Sequence, residues 1–289
     1  MKRTLLTFGH GYSATALSHR LLADGWHVIG TTRSPEKAAV LEAMGVEPAL
    51  WPGTDMSEAI GRATHILQSV GPDASGDPVL AACGDQIAAR ASRLAWFGYL
   101  STTGVYGDHS GGWVDESTPL TPTTQRGRWR LAAEEAWRRL SAQSGLPLHI
   151  FRIAGIYGPG RGPFNKVRDG SAQLVIKPGQ FMSRVHVEDI ANVLAASLAN
   201  PNPGAAYNVC DDEPSPPEDV LTYAARLLGL PTPPAVDFET ADMTPMARSF
   251  YAESKRVRND RIVRDLGVRL AYPSYREGLT ALLASAKDA

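Results

Sequence analysis

Gly9-His10-Gly11-Tyr12-Ser13-Ala14 is a turn of small residues set between an apolar run and an amphipathic one. Between a strand and a helix, the first glycine permits a tight turn and the second lets backbone approach a pyrophosphate. The small third residue, Ala14, lets the helix pack closely on the strand. The helix start at Tyr12 and Ser13 turns free N–H groups and a partial positive charge toward phosphates. The pattern therefore predicts a dinucleotide site. About 20 residues further on, an NAD site places Asp or Glu for the ribose 2′-hydroxyl. Here the chain reads Gly30-Thr31-Thr32-Arg33-Ser34. No carboxylate in that run repels a 2′-phosphate. Arg33 offers a permanently charged fork, and Thr32 and Ser34 offer hydroxyl donors. The reading is NADP(H), with NAD less favoured.

These residues need a strand-turn-helix frame, and the chain supplies one. Apolar runs suited to buried strands lie at 4–8, 27–31, 64–70, 95–101 and 147–153. Amphipathic stretches lie between them at about 12–24, 35–44, 78–93 and 126–144. Such alternation gives right-handed strand-helix-strand units. The expected fold is α/β: a Rossmann-type, doubly wound parallel sheet with helices on both faces. Ser34-Pro35 reads as a helix start and Asp24-Gly25 as a helix stop. After residue 153 the chain turns rich in Gly and Pro, and helical patterns return at 186–199 and 255–266. The expected division is a dinucleotide-binding domain over 1–160, to which 183–210 returns. A smaller substrate-binding lobe is expected from 161–182 and 211–289.

Composition narrows the function classes. The formal net charge is -1 over 289 residues, so the basic excess of a nucleic-acid binder is missing. Cys83 and Cys210 stand alone, with no zinc or dithiol spacing, and no metal is expected. Such cysteine usage fits a reducing compartment. The first glycine turn comes too early for a signal peptide, and no run reaches the ~18 apolar residues of a membrane span. The reading is a cytoplasmic protein with a small-molecule substrate, no nucleic-acid partner and no membrane partner.

Four further segments follow in order: Ser101-Thr102-Thr103-Gly104-Val105-Tyr106-Gly107, Arg152-Ile153-Ala154-Gly155-Ile156-Tyr157-Gly158-Pro159-Gly160, His186-Val187-Glu188-Asp189 and Tyr207-Asn208-Val209. With the glycine turn they span nearly the whole chain. In that order the chain resembles the extended short-chain dehydrogenase/reductases of the NAD(P)-dependent epimerase/dehydratase kind. The resemblance implies an oxidoreductase acting on a carbonyl or alcohol of a small or nucleotide-linked substrate. It also admits a homodimer formed through helices equivalent to 78–93 and 126–144. It implies that Asp55 lies near the adenine, and Ser69 is expected to line the cofactor channel.

In that family a Ser or Thr, a Tyr and a Lys carry the chemistry. Thr102 matches the first, with Thr103 beside it. The Tyr-xxx-Lys pair is missing: Arg126 stands at the tyrosine position and Arg130 at the lysine position. A guanidinium stays protonated, so Arg126 cannot shuttle a proton near neutral pH, but it can bind an anion or polarise a carbonyl. Arg130 can still hydrogen-bond ribose hydroxyls. Tyr106 and Tyr157, in turns at the carboxyl edge of the sheet, are candidates to replace the lost phenol, against a purely structural role. Trp129, Ala133, Trp137 and Leu140 are expected on the helix face opposite the two arginines. The competing functional reading is a catalytically silent NADP-binding sensor or scaffold.

Overall fold

The computed structural model describes residues 3–287. Seven parallel strands form one sheet: β1 (Thr4–Phe8), β2 (His27–Thr32), β3 (Glu47–Leu50), β4 (His65–Gln68), β5 (Trp96–Thr102), β6 (Leu148–Ile153) and β7 (Ala206–Val209). Their order is β7-β6-β5-β4-β1-β2-β3, so the order in which strands are added reverses at β1. Leu5 pairs with both Val28 and His65, which places the glycine turn between β2 and β4. In a doubly wound sheet that switch point is where ligands bind.

Helices cover both faces. α1 (Tyr12–Ala23) and α7 (Val187–Ala199) pack on one face, with Leu17, Ile190 and Leu194 against Phe151 and Tyr207. α4 (Pro78–Ala89) and α5 (Gln125–Ser144) pack on the other, with Ile87 and Trp137 against Phe97 and Ile150. Both sides of the central strands are therefore dry, which is why these strands read as continuous apolar runs. α2 (Pro35–Ala43) is capped by Ser34, whose Oγ accepts from the Lys37 N–H at 3.1 Å. Asp77 caps α4 by accepting from the Val79 and Leu80 N–H groups, both at 2.9 Å.

No apolar run in the sequence marks β3. This edge strand is four residues long and contains Glu47 and Pro48, a composition that only an edge position tolerates. A helix expected from 255 begins at Asp260 instead (α10, Asp260–Leu266); Arg256–Val257 is extended and pairs with Trp113–Val114. Ile262, Leu266 and Val268 pack into the core of the sheet's α1/α7 face. Residues 256–268, expected in the smaller lobe, thus pack on the dinucleotide body. Tyr157, Phe164, Ala224, Tyr275 and Leu279 form a core of their own, separate from those on the two faces of the sheet. Among the described residues no helix is long and apolar enough to cross a membrane.

His149 is fully buried on β6, stacked on Trp96, with Nε2 accepting from the Asn202 N–H at 2.9 Å. Burial lowers its pKa from 6.5 to about 4. Between those values the unfolded chain binds a proton that the folded chain refuses, so stability falls as pH drops through that window. At pH 5 this one group should remove roughly 2 kcal/mol. Urea unfolding of the wild type and of His149→Gln, at about pH 7.5 and about pH 5, should show the variant's acid loss smaller by that amount. Equal losses would mean His149 does not titrate as its burial requires.

Candidate functional site

A cavity of about 790 Å³ runs along the carboxyl edge of the sheet. At one end lies the glycine turn. Gly9 adopts φ +78°, and a Cβ there would meet the Val70 side chain at 2.9 Å, so only glycine fits. Gly11 has nothing nearer than 3.8 Å, which leaves its backbone open to a ligand. No side chain caps α1, and no acidic residue sits in its first turn. The N–H groups at Tyr12, Ser13 and Ala14 therefore have no intrahelical acceptor. All three residues line the cavity, as does Ser69. The Ser69 hydroxyl bonds the Phe8 carbonyl at 3.1 Å and the Gly9 carbonyl at 2.5 Å. The arrangement suits an anionic pyrophosphate. The Tyr12 hydroxyl donates to the Pro159 carbonyl at 2.9 Å, tying the turn to the loop that follows β6.

The end of β2 is less simple than its sequence. Arg33 is exposed there. Ser34, expected to offer its hydroxyl to a 2′-phosphate, donates it to Glu36 Oε2 at 2.6 Å. Glu36 lies just beyond the Gly30-to-Ser34 run, in the first turn of α2. Thr32 Oγ1 is buried and accepts from the Ser34 N–H at 3.4 Å. None of Thr32, Arg33, Ser34 and Asp55 lines the cavity. Asp55 is engaged locally, accepting from the Ser57 hydroxyl at 2.7 Å and N–H at 3.0 Å. Those bonds hold its carboxyl below the usual range, the hydroxyl bond first.

Thr102, Thr103, Arg126 and Arg130 all line the same cavity as the glycine turn. Thr102 ends β5, and its Oγ1 accepts from the Gly104 N–H at 3.2 Å, so its O–H remains free to donate. Arg130 is clamped to β5: Nη1 donates to the Leu100 carbonyl at 2.8 Å and to the Tyr99 hydroxyl at 3.2 Å. Arg126 Nη1 lies 2.7 Å from the Met246 thioether of α9 (Pro245–Phe250). The expected opposition of two α5 faces is corrected by helix geometry. Positions 126, 129, 130, 133, 137 and 140 fall on one face at 3.6 residues per turn. The start of that face, Arg126, Trp129 and Arg130, lines the cavity. Its continuation, Ala133 and Trp137, enters the core.

Neither Tyr106 nor Tyr157 lines this cavity. Tyr106 is fully buried; its hydroxyl donates to Asn208 Oδ1 at 2.7 Å and accepts from Arg152 Nη1 at 3.0 Å. Burial pushes its pKa up to about 12. Tyr157 donates to the Ser274 carbonyl at 3.3 Å, and burial raises its pKa further still. It lines a smaller adjoining pocket of about 310 Å³. As placed, neither phenol can replace the missing tyrosine.

Behind the cavity floor lies a buried ion pair. Arg152 Nη2 meets Glu134 Oε2 at 2.9 Å, with side-chain exposures of 4% and 1%. The Ser101 hydroxyl also donates to Glu134. Ser101, Glu134, Arg152, Tyr106 and Asn208 thus join into one polar network under β5, α5, β6 and β7.

Sequence reasoning singled out Arg256 and Asn259 in the segment 255–260, whose likeness to the family places it over the substrate cleft, but neither Glu253 nor Lys255, which line the cavity. Lys255 Nζ donates to the Gly107 carbonyl and to Glu253 Oε2, each at 2.7 Å. Glu253 Oε1 accepts from the Thr123 hydroxyl at 2.6 Å. No local spacing connects residues 253–255 with 102–130; only the chain's return brings them together.

The family model described as NAD dependent epimerase/dehydratase family matches residues 81–210. Protein YeeZ of Escherichia coli (strain K12) is 30% identical over 287 residues, covering 94% of this chain and 97% of that protein. A solved structure of a functionally unknown conserved protein from Silicibacter pomeroyi DSS is 63% identical. It covers 98% of this chain and 99% of that one, with a TM-score of 0.94. UDP-glucuronic acid 4-epimerase from Bacillus cereus, solved with UDP-glucuronic acid and NAD, shares the fold at 17% identity. Its TM-score is 0.80, with 99% of each chain covered. The glycine turn at the sheet's switch point, the ordered motifs and these likenesses agree: the chain belongs to the NAD-dependent epimerase/dehydratase family of extended short-chain dehydrogenase/reductases.

Proposed function

We propose that this protein is an NADP(H)-dependent oxidoreductase acting on a carbonyl or alcohol of a small or nucleotide-linked substrate. One observation carries the reading: Thr102, Arg126 and Arg130 line one cavity with the uncapped start of α1. When bound, the nicotinamide supplies or accepts a hydride. The protein's part is positional and electrostatic. The N–H groups that open α1 hold the pyrophosphate. Arg130, fixed on β5 by Leu100 and Tyr99, orients the nicotinamide ribose through its remaining donors. Thr102 donates its hydroxyl to the substrate oxygen. Arg126, permanently charged, stabilises negative charge developing on that oxygen without giving up a proton; solvent water supplies the proton when the oxygen becomes a hydroxyl, and takes it in the reverse direction.

NADP(H), in place of the NAD held by the Bacillus cereus enzyme, rests on Arg33 at the end of β2. Glu36 works against a 2′-phosphate, so the whole preference depends on Arg33. Calorimetric titration should find NADP⁺ binding about tenfold tighter than NAD⁺, about 1.4 kcal/mol. In Arg33→Ala that preference should vanish. If neither nucleotide binds, the glycine turn is a relic and the reading fails. If NADP⁺ binds but NADPH reduces nothing across a broad carbonyl panel, the silent sensor or scaffold takes its place.

A further inference from the structure

The charges lining the cavity do not balance. Arg126, Arg130, Arg161 and Lys255 are cationic, and Glu253 is the acidic residue among them. Two of the cations belong to the cofactor end. Arg130 is tied to β5, and Arg161 sits 6.0 Å over the Tyr12 ring at the glycine turn. Glu253 is fully engaged, with one oxygen on Lys255 and the other on Thr123. Arg126 is the unbalanced charge. Among the described residues its one hydrogen-bond partner is a thioether, a weak acceptor, and no carboxylate pairs with it.

Arg126 and Lys255 bracket the turn that begins at Thr102. Gly127, next to Arg126, approaches that turn so closely that a Cβ would lie 2.9 Å from the Gly104 carbonyl oxygen. Lys255 grips the same turn at the Gly107 carbonyl. An ammonium has three donors, and two of those on Lys255 are committed. The third, with the planar fork of Arg126, is matched to an anion. The strap carrying Lys255 is firmly set: the Ser254 N–H donates to Asp108 Oδ1 at 2.7 Å, and its hydroxyl donates to the Gly179 carbonyl at 2.7 Å.

Resting on the oxidoreductase reading above, we propose that the substrate carries a carboxylate or phosphate near its reacting carbon, bound by Arg126 with Lys255. The position of the family's tyrosine has become an anion anchor. A charged fork and a buried ammonium lining one cavity favour an anion over a neutral analogue, which leaves the third donor of Lys255 unpaired.

The test is calorimetric titration of the NADP⁺-saturated protein with oxalate, with inorganic phosphate and with neutral oxamide. One of the anions should bind about tenfold tighter than oxamide or better; whichever does so assigns the group as carboxylate or phosphate. Arg126→Gln should cut that affinity about tenfold and leave NADP⁺ affinity within about twofold. Arg126→Lys, which keeps the charge but not the fork, should fall between. If neither anion outbinds oxamide, or Arg126→Gln binds the anion as wild type does, the anchor is refuted. Should NADP⁺ fail to bind, the oxidoreductase reading falls by itself. The same probes on the cofactor-free protein then still decide the anion site.

Discussion

Glu134→Ala should destabilise the protein by about 3–5 kcal/mol, the range for removing one partner of a buried ion pair. The loss would come less from the missing attraction than from the charge left behind. Arg152 is 3% exposed and cannot reach water. Burial works against its charge, and the bonds to Glu134 more than offset that, raising its pKa. Without Glu134 the guanidinium keeps the Tyr106 hydroxyl, a neutral acceptor, and the Ser101 hydroxyl loses its carboxylate. Against a total stability of about 5–15 kcal/mol, a loss of this size would show in urea unfolding as a large drop in midpoint. Replacing both partners by apolar residues, Glu134→Leu with Arg152→Met, should cost less than Glu134→Ala alone, because no uncompensated charge remains. A single variant that loses under about 1 kcal/mol would mean that water reaches the pair, contrary to its burial.

This network explains why the motifs at 101–107, 152–160 and 207–209 could be read from the sequence while their purpose could not. Each lies on a separate strand end, and sequence order alone does not say that they touch. The fold puts β5, β6 and β7 side by side, and Tyr106, Arg152 and Asn208 then meet beneath the cavity. The Tyr106 phenol is by type a proton-transfer group, but its burial and its bonds to Asn208 and Arg152 make it part of the scaffold. The frame itself was legible because it is local. Buried parallel strands read as apolar runs, and the caps at Ser34 and Gly25 follow from short-range chemistry. Thr102, Arg126 and Arg130 could be placed because strand end and helix start are each set by nearby residues. What could not be read is whatever the return of the chain decides. Glu253 and Lys255 reach the cavity from more than a hundred positions beyond Thr102. Glu36 takes the Ser34 hydroxyl through a side-chain bond that residue spacing does not announce. The error over Trp129 was of another kind: the helical period itself, applied from Arg126, puts it on the arginines' face.

Gly11→Asp should leave the fold intact and reduce NADP⁺ affinity about hundredfold, about 2.8 kcal/mol. Gly11 lies at φ -100°, which any residue adopts, and a Cβ there meets nothing nearer than the Gly9 carbonyl at 3.8 Å. Aspartate is also a favoured residue at a helix start, where its carboxylate can take the orphan N–H groups. Those are the donors assigned above to the pyrophosphate, so the side chain would both occupy them and repel the ligand's charge. Stability should therefore hold or rise while binding collapses, a separation that general misfolding cannot produce. Gly9→Ala is the contrasting variant. At φ +78°, with Val70 at 2.9 Å from the new Cβ, it should lose thermal stability first and affinity only as a consequence. The comparison takes one calorimeter and one melting curve for each protein. If Gly11→Asp binds NADP⁺ as tightly as wild type, the phosphates do not lie on the start of α1. The cofactor would then have to be sought in another part of the cavity.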